Sequence, residues 1–180
     1  MAFDGIAISC IVHELNDILA QGRVDKVLQP EYDEIILAVR SGGKNHKVVL
    51  SASSSNPRVH ITTVQKENPE KAPMFCMLLR KHLLGGRIVA VTQPEFERVV
   101  EFHIESRDEM GDISVKRLVI EVMGRVSNII LVDAAGKLLG SIKHIDFSVS
   151  QVRQLIPGMM YEMPPSQGKL NPLTVDEETV

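Results

Sequence analysis

The chain has 180 residues, of which 44% are apolar and 24% charged. That is the composition of a globular domain and not of a disordered or fibrous chain. Its net charge of −3 excludes a domain that holds nucleic acid by bulk electrostatics, so any polyanion contact must come from a local basic face. There is no Trp and aromatics make up only 4%, so the core must be built from Ile, Val, Leu and Met.

In chain order, residues 8–21 predict a first helix, because Ile8, Ile11, Val12, Leu15, Ile18 and Leu19 form one apolar stripe and Gly22 stops it. Asp4 or Ser9 is placed to cap it by accepting backbone N–H bonds. The period then changes to that of short strands rich in Val, Ile and Leu, at Val24 to Gln29, Glu34 to Arg40, Lys47 to Ser51 and Arg58 to Thr63. Ser41-Gly42-Gly43-Lys44 reads as a hairpin turn, since paired glycines supply positive φ. Gln65 to Ala72 is polar and reads as a loop. Residues 73–84 predict a second helix, with Pro73 at its start, Gly85 past its end and Arg80-Lys81-His82 near the negative end of its dipole.

Five further strands are expected: Arg87 to Thr92, Arg98 to Ser106, Ser114 to Met123, Asn128 to Asp133 and Leu138 to Lys143. Together they read as an antiparallel meander. Between Glu97 and Glu105 the odd positions are mostly polar and the even ones mostly apolar, which predicts a solvated strand face. Arg98 breaks that alternation. It reads either as half of a salt bridge with Glu97 or as a cation held at a strand end for a ligand phosphate or base. From Ser148 onward prolines thicken into an extended, turn-rich tail, and Asp176 to Val180 reads as the start of a helix in a following domain. The fold class is therefore α+β, with two helices packed on antiparallel sheets.

The arrangements that carry catalysis do not emerge from these residues. There is no Cys-x-x-Cys, the six histidines lack metal-ligand spacing, and no nucleophile elbow occurs. Gly42-Gly43-Lys44 and Gly85-Gly86-Arg87 do not open helices, as a phosphate-cradling loop must. Cys10 and Cys76 lie among apolar residues and read as buried thiols of a reducing compartment. No run approaches the roughly 20 apolar residues of a membrane span, and the N-terminus lacks a signal-like pattern. A cytoplasmic protein with no metal and no cofactor is the expectation.

The segment Pro73-Met74-Phe75-Cys76-Met77-Leu78-Leu79-Arg80-Lys81-His82-Leu83-Leu84-Gly85-Gly86 resembles part of the NFACT-N domain of the RqcH family, also called fibronectin-binding protein A (FbpA). The resemblance continues in Met1 to Gly5, His13-Glu14-Leu15, Ser51-Ala52, Arg58 to Thr62, Gly124 to Asp133 and Pro164 to Gln167. It implies an antiparallel, β-sandwich-like domain with two flanking helices, similar to the N-terminal domain of formamidopyrimidine-DNA glycosylases. It also implies an NFACT-N domain over residues 1–172, with 173–180 beginning the next helical region. The function implied is that of a ribosome-associated quality control factor, not an enzyme. Such factors bind obstructed large ribosomal subunits carrying peptidyl-tRNA and recruit tRNA, mainly for alanine, to tail the stalled chain. The family's older name implies fibronectin binding as the alternative. Carried over residue by residue, Asp4, Glu97 and Arg98 match positions associated with tRNA, with Glu97 standing where the family has Asp. Arg125, Ser127 and Asn128 match a family signature, as a turn between two strands. The glycosylases' N-terminal Pro-Glu is absent from Met1-Ala2-Phe3-Asp4, which excludes their chemistry.

Overall fold

A computed structural model describes residues 5–94, 98–108, 110–143 and 155–162. The chain order is α1 (Gly5–Leu19), β1 (Arg23–Glu31), β2 (Glu34–Ser41), β3 (Lys44–Ser51), β4 (Arg58–Thr62), α2 (Met74–Leu83), β5 (Arg87–Thr92), β6 (Val99–Arg107), β7 (Ile113–Glu121), β8 (Asn128–Val132) and β9 (Leu138–Ser141). The strands form one antiparallel sheet in the order β4-β3-β2-β1-β5-β6-β7-β8-β9. The fold is α+β with two helices, as the residue pattern predicts. The layers of the sandwich are the two halves of this one sheet.

The sheet curls so that both halves, with α1 and α2, share one core. β3 approaches β8, and the Lys143 ammonium donates to the Ala52 carbonyl across the gap. The halves meet along β1 and β5 through short backbone bonds, among them Val24 N–H to Gly86 O and Ile88 N–H to Gly22 O, both 2.8 Å. Two glycines allow this junction. A Cβ on Gly22 would sit 2.7 Å from Val39 Cγ1, and one on Gly86 would sit 2.9 Å from the Glu105 carbonyl. Gly22 therefore serves close packing, and the left-handed residue that ends α1 is Gln21, at φ 69°. Gly85 does take positive φ, as do Gly42 and Gly43 in the β2–β3 hairpin.

α1 begins three residues earlier than its apolar stripe suggests, so Ser9 lies inside it and is not its cap. Asp4, the other capping candidate, lies outside the described residues. Ile8, Leu15 and Leu19 face the core. Cys10 is exposed, against the expectation of burial: at about 100° per residue it sits some 200° around the helix from Ile8. Cys76 is buried on α2, its Sγ donating to the Val27 carbonyl at 3.4 Å, and burial raises its thiol pKa.

The solvated face expected on β6 is a second correction. Val99, Val119, Met123, Ile130, Val132, Leu138 and Leu155 form a smaller core on the outer side of the sheet, with Tyr161 packed against it. The segment 155–162 is pinned there by Leu138 N–H to Met159 O (2.7 Å) and Tyr161 N–H to Gly136 O (2.8 Å). Glu101 is buried beneath this cover, while His103 and Glu105 remain partly open. Strand alternation reports which side a residue faces and not what later chain covers that side. The proposed boundary at residue 172 lies outside the described residues.

Candidate functional site

Arg98 immediately precedes β6, at the end of the sheet toward which α1 points its N-terminus. The direction of α1 is fixed by two bonds. Gln21 N–H donates to Ile88 O at 2.7 Å, and Asn16 Oδ1 accepts from Val91 N–H at 2.9 Å. Going toward the helix N-terminus therefore means going toward the β5–β6 connection. The remaining 11 residues from Asn16 to Gly5 span about 16 Å at 1.5 Å each. That length takes the first turn in the direction of the β5–β6 connection. The parity of Arg98 matches Val100 and Phe102 on the inner side of β6, which is the side α1 occupies. The first turn of α1 contains no acidic residue, and it carries the positive end of the helix dipole. Asp4 and Glu97, which the resemblance associates with tRNA together with Arg98, lie outside the described residues.

The backbone of Arg98 is held firmly. Its carbonyl accepts from Val122 N–H at 2.8 Å, and Val99 pairs with Glu121 across β6 and β7. Glu121 is buried and its Oε2 accepts from the Tyr161 hydroxyl at 2.7 Å. The Tyr161 ring lies 5.8 Å from the Arg117 guanidinium, which donates to Glu101 Oε2 at 2.8 Å. Glu101 Oε1 is 3.7 Å from His103 Nε2, and that nitrogen is 2.8 Å from Thr92 Oγ1. A continuous polar ladder therefore crosses the outer face of β5, β6 and β7 and ends at Glu121, opposite Val99, on the face away from the Arg98 side chain. Burial lowers the His103 pKa, with Glu101 opposing and Arg117 adding to the shift, which favours the neutral ring.

Glu101 was read only as part of a solvated strand face, and Arg117, Glu121 and Tyr161 were not singled out in the sequence. Glu121 alone carried a signal, as a charge ending the apolar run Leu118-Val119-Ile120. Tyr161 is 40 residues away from it, and its contact is set by the fold.

The Gly124–Val126 segment is a single 3-10 turn, opened by Gly124 at φ 60°. Ser127 and Asn128 are fully buried. Ser127 Oγ accepts from Met123 N–H at 2.7 Å, closing the turn. Asn128 Oδ1 accepts from Ile129 N–H at 2.9 Å and Lys143 N–H at 3.0 Å, and its amide donates to Lys143 O at 2.9 Å. These two residues are occupied in holding β7, β8 and the strand after them. The side chain of Arg125 lies outside the described residues. Among the described residues no three His, Cys, Asp or Glu side chains group as a metal site, and no helix is long and apolar enough to cross a membrane.

Residues 4–180 match the family of NFACT N-terminal and middle domains. The chain is 45% identical over 181 residues to the Rqc2 homolog RqcH of Bacillus subtilis (strain 168), covering 100% of this chain and 32% of that protein. It is 30% identical to the archaeal Rqc2 homolog aRqcH of Methanocaldococcus jannaschii, over 95% of this chain and 24% of that protein. The chain thus spans about a third or less of the length of these relatives. Among solved structures, the N-terminal domain of fibronectin-binding protein PavA from Streptococcus pneumoniae superposes with a TM-score of 0.90 at 41% identity. That match covers 98% of this chain and 66% of the other.

Proposed function

The chain belongs to the NFACT N-terminal family, and on that premise we propose that it is the N-terminal part of a ribosome-associated quality control factor that engages tRNA through the Arg98 end of its sheet. The observation that carries this reading is the 45% identity over the whole chain to the Bacillus subtilis RqcH protein. Two structural features support it. Arg98 stands at a strand end with its carbonyl bonded to Val122 N–H, and α1 runs toward that same end without an acidic residue in its first turn. A guanidinium at a strand end suits a phosphate or a base edge. Asp4 and Glu97 complete the proposed contact set.

In this reading the intact protein binds large ribosomal subunits obstructed by peptidyl-tRNA and recruits alanine tRNA in the cytoplasm. Residues 1–172 form the RNA-positioning domain, and 173–180 open the region that follows. Bond formation belongs to the ribosome. The fold is taken to be akin to the N-terminal domain of formamidopyrimidine-DNA glycosylases, without their chemistry.

The test is RNA sequencing of what copurifies from cells with the intact protein and its Arg98→Ala variant. Losing a charge-assisted contact should cut tRNA recovery about tenfold or more and reduce the salt dependence of binding by about one unit of slope. Unchanged tRNA recovery from a folded variant sinks the proposal. The name of the Streptococcus pneumoniae neighbour favours a second reading, fibronectin binding. Its edge-strand form would use the open side of β4, at the end of the sheet. Calorimetry with fibronectin modules that yields no heat removes it.

A further inference from the structure

The far end of β6 carries a feature that the tRNA reading does not use. A cleft of about 660 Å³ opens between the end of α2, the β6–β7 turn and the β8–β9 turn. It lies roughly 30 Å from Arg98, the length of the nine-residue strand between them. Its lining includes the cations Lys81, Arg107 and Lys116 together with His82, on a chain whose net charge is −3.

Lys116 is the unusual member. It lies on the inner side of β7 and is 4% exposed. Its ammonium donates to Ser106 Oγ and Ser114 Oγ, both at 3.1 Å. Those two hydroxyls are neutral, and no carboxylate among the described residues comes within ion-pair distance of it. A buried ammonium with neutral partners bears a desolvation cost that an anion would offset. It has three donors, so one is left for such a ligand. Among the described residues, the carboxylates lining the cleft, Asp108 and Asp133, each bind turn amides through Oδ1. Asp108 Oδ1 accepts from Met110 N–H and Asp112 N–H, and Asp133 Oδ1 accepts from Ala135 N–H and Lys137 N–H, each at 2.9 Å. They shape the turns that form the walls. Arg107 is steadied over the opening by its bond to Gly111 O at 3.0 Å.

We propose that this cleft binds a nucleotide, with the phosphate on Lys116, Ser114 and Arg107 and the base between Met110 and Leu139. An ammonium, a hydroxyl and a guanidinium lining one cleft suit a phosphate better than a carboxylate. The volume exceeds a bare phosphate and falls in the range of small-ligand sites. Met110 is highly exposed at the wall, where a polarizable thioether can lie against an aromatic ring. The nucleotide is either free or one residue of an RNA strand. The inference stands apart from the role of Arg98, because the site shares no residue with it.

Titration of this chain with AMP, with a short single-stranded oligoribonucleotide and with inorganic phosphate tests it. The expected result is saturable AMP binding, tighter than phosphate. Lys116→Met should weaken it tenfold or more, and Lys44→Ala on the distant hairpin should leave it unchanged. Binding of the oligonucleotide as tightly as AMP identifies RNA as the source, and binding of AMP alone identifies a free nucleotide. The proposal is overturned if neither binds, if phosphate binds as well as AMP, or if folded Lys116→Met binds normally. Should Lys116→Met fail to fold, the Lys81→Ala/Arg107→Ala rim variant decides: a tenfold loss supports the site and no change overturns it.

Discussion

The two halves of the sheet share an inner core but treat their outer faces differently. Over β2 and β3, Ile36 and Val49 are shielded by long polar side chains: Glu34 is buried between Lys66 at 2.9 Å and Arg58 at 3.2 Å. Over β6 to β8, a returning piece of chain does the covering, and Leu155 and Tyr161 turn an outer face into a second core. All five residues of β8 are buried as a result. Ion-paired side chains exclude water from a strand face only partly and can rearrange. A pinned segment makes the same alternation doubly buried.

Removing equal volume from each outer face separates the two kinds of cover most strongly. Ile130→Ala should cost about 3–4 kcal/mol in urea unfolding, because the second core cannot collapse around the cavity. Ile36→Ala should cost about 2 kcal/mol, near the low end for such truncations, since Lys66 and Arg58 can fold into the gap. Equal losses would mean that segment 155–162 is no better a cover than side chains. The next effect concerns polar groups. Asn128→Ala strands three backbone groups in a buried place and should cost about 2–3 kcal/mol, independent of salt. Glu34→Gln should cost about 1 kcal/mol and shrink further at high salt, because both of its cations are partly exposed. A salt-sensitive loss at Asn128 would contradict its role as a backbone surrogate.

Much of this architecture was legible in the sequence because it is local. Both helices and all nine strands follow from periodicity and turn chemistry, and the Gly42-Gly43 turn from the φ angles it needs. What was not legible is what long-range closure decides. The odd face of β6 looked solvated until Leu155 and Tyr161 came to lie on it. Gly22 looked like a helix stop, and its closer constraint is Val39 from β2. Ser127 and Asn128 stood out as a signature turn, and their bonds show them engaged in folding. Arg98 was conspicuous for breaking the alternation. The Glu121–Tyr161 pair on the outer face was not, because no sequence rule pairs residues 40 apart.

The smallest effect probes the boundary between covered and open face, at His103. Burial holds its pKa below the ordinary 6.5, so above that pH both folded and unfolded forms carry a neutral ring and its titration contributes nothing. As pH falls below 6.5 the unfolded chain takes the proton first, and stability drops until the folded form is protonated too. Glu101, 3.7 Å away, limits the drop, while Arg117 deepens it. The thermal midpoint of the protein should therefore fall more steeply between about pH 7 and 5 than that of His103→Gln, which keeps a polar group for Thr92 but has no titrating ring. Parallel curves for the two proteins would mean that the ring is as well hydrated as in an unfolded chain, and that the cover over β6 ends before it reaches position 103.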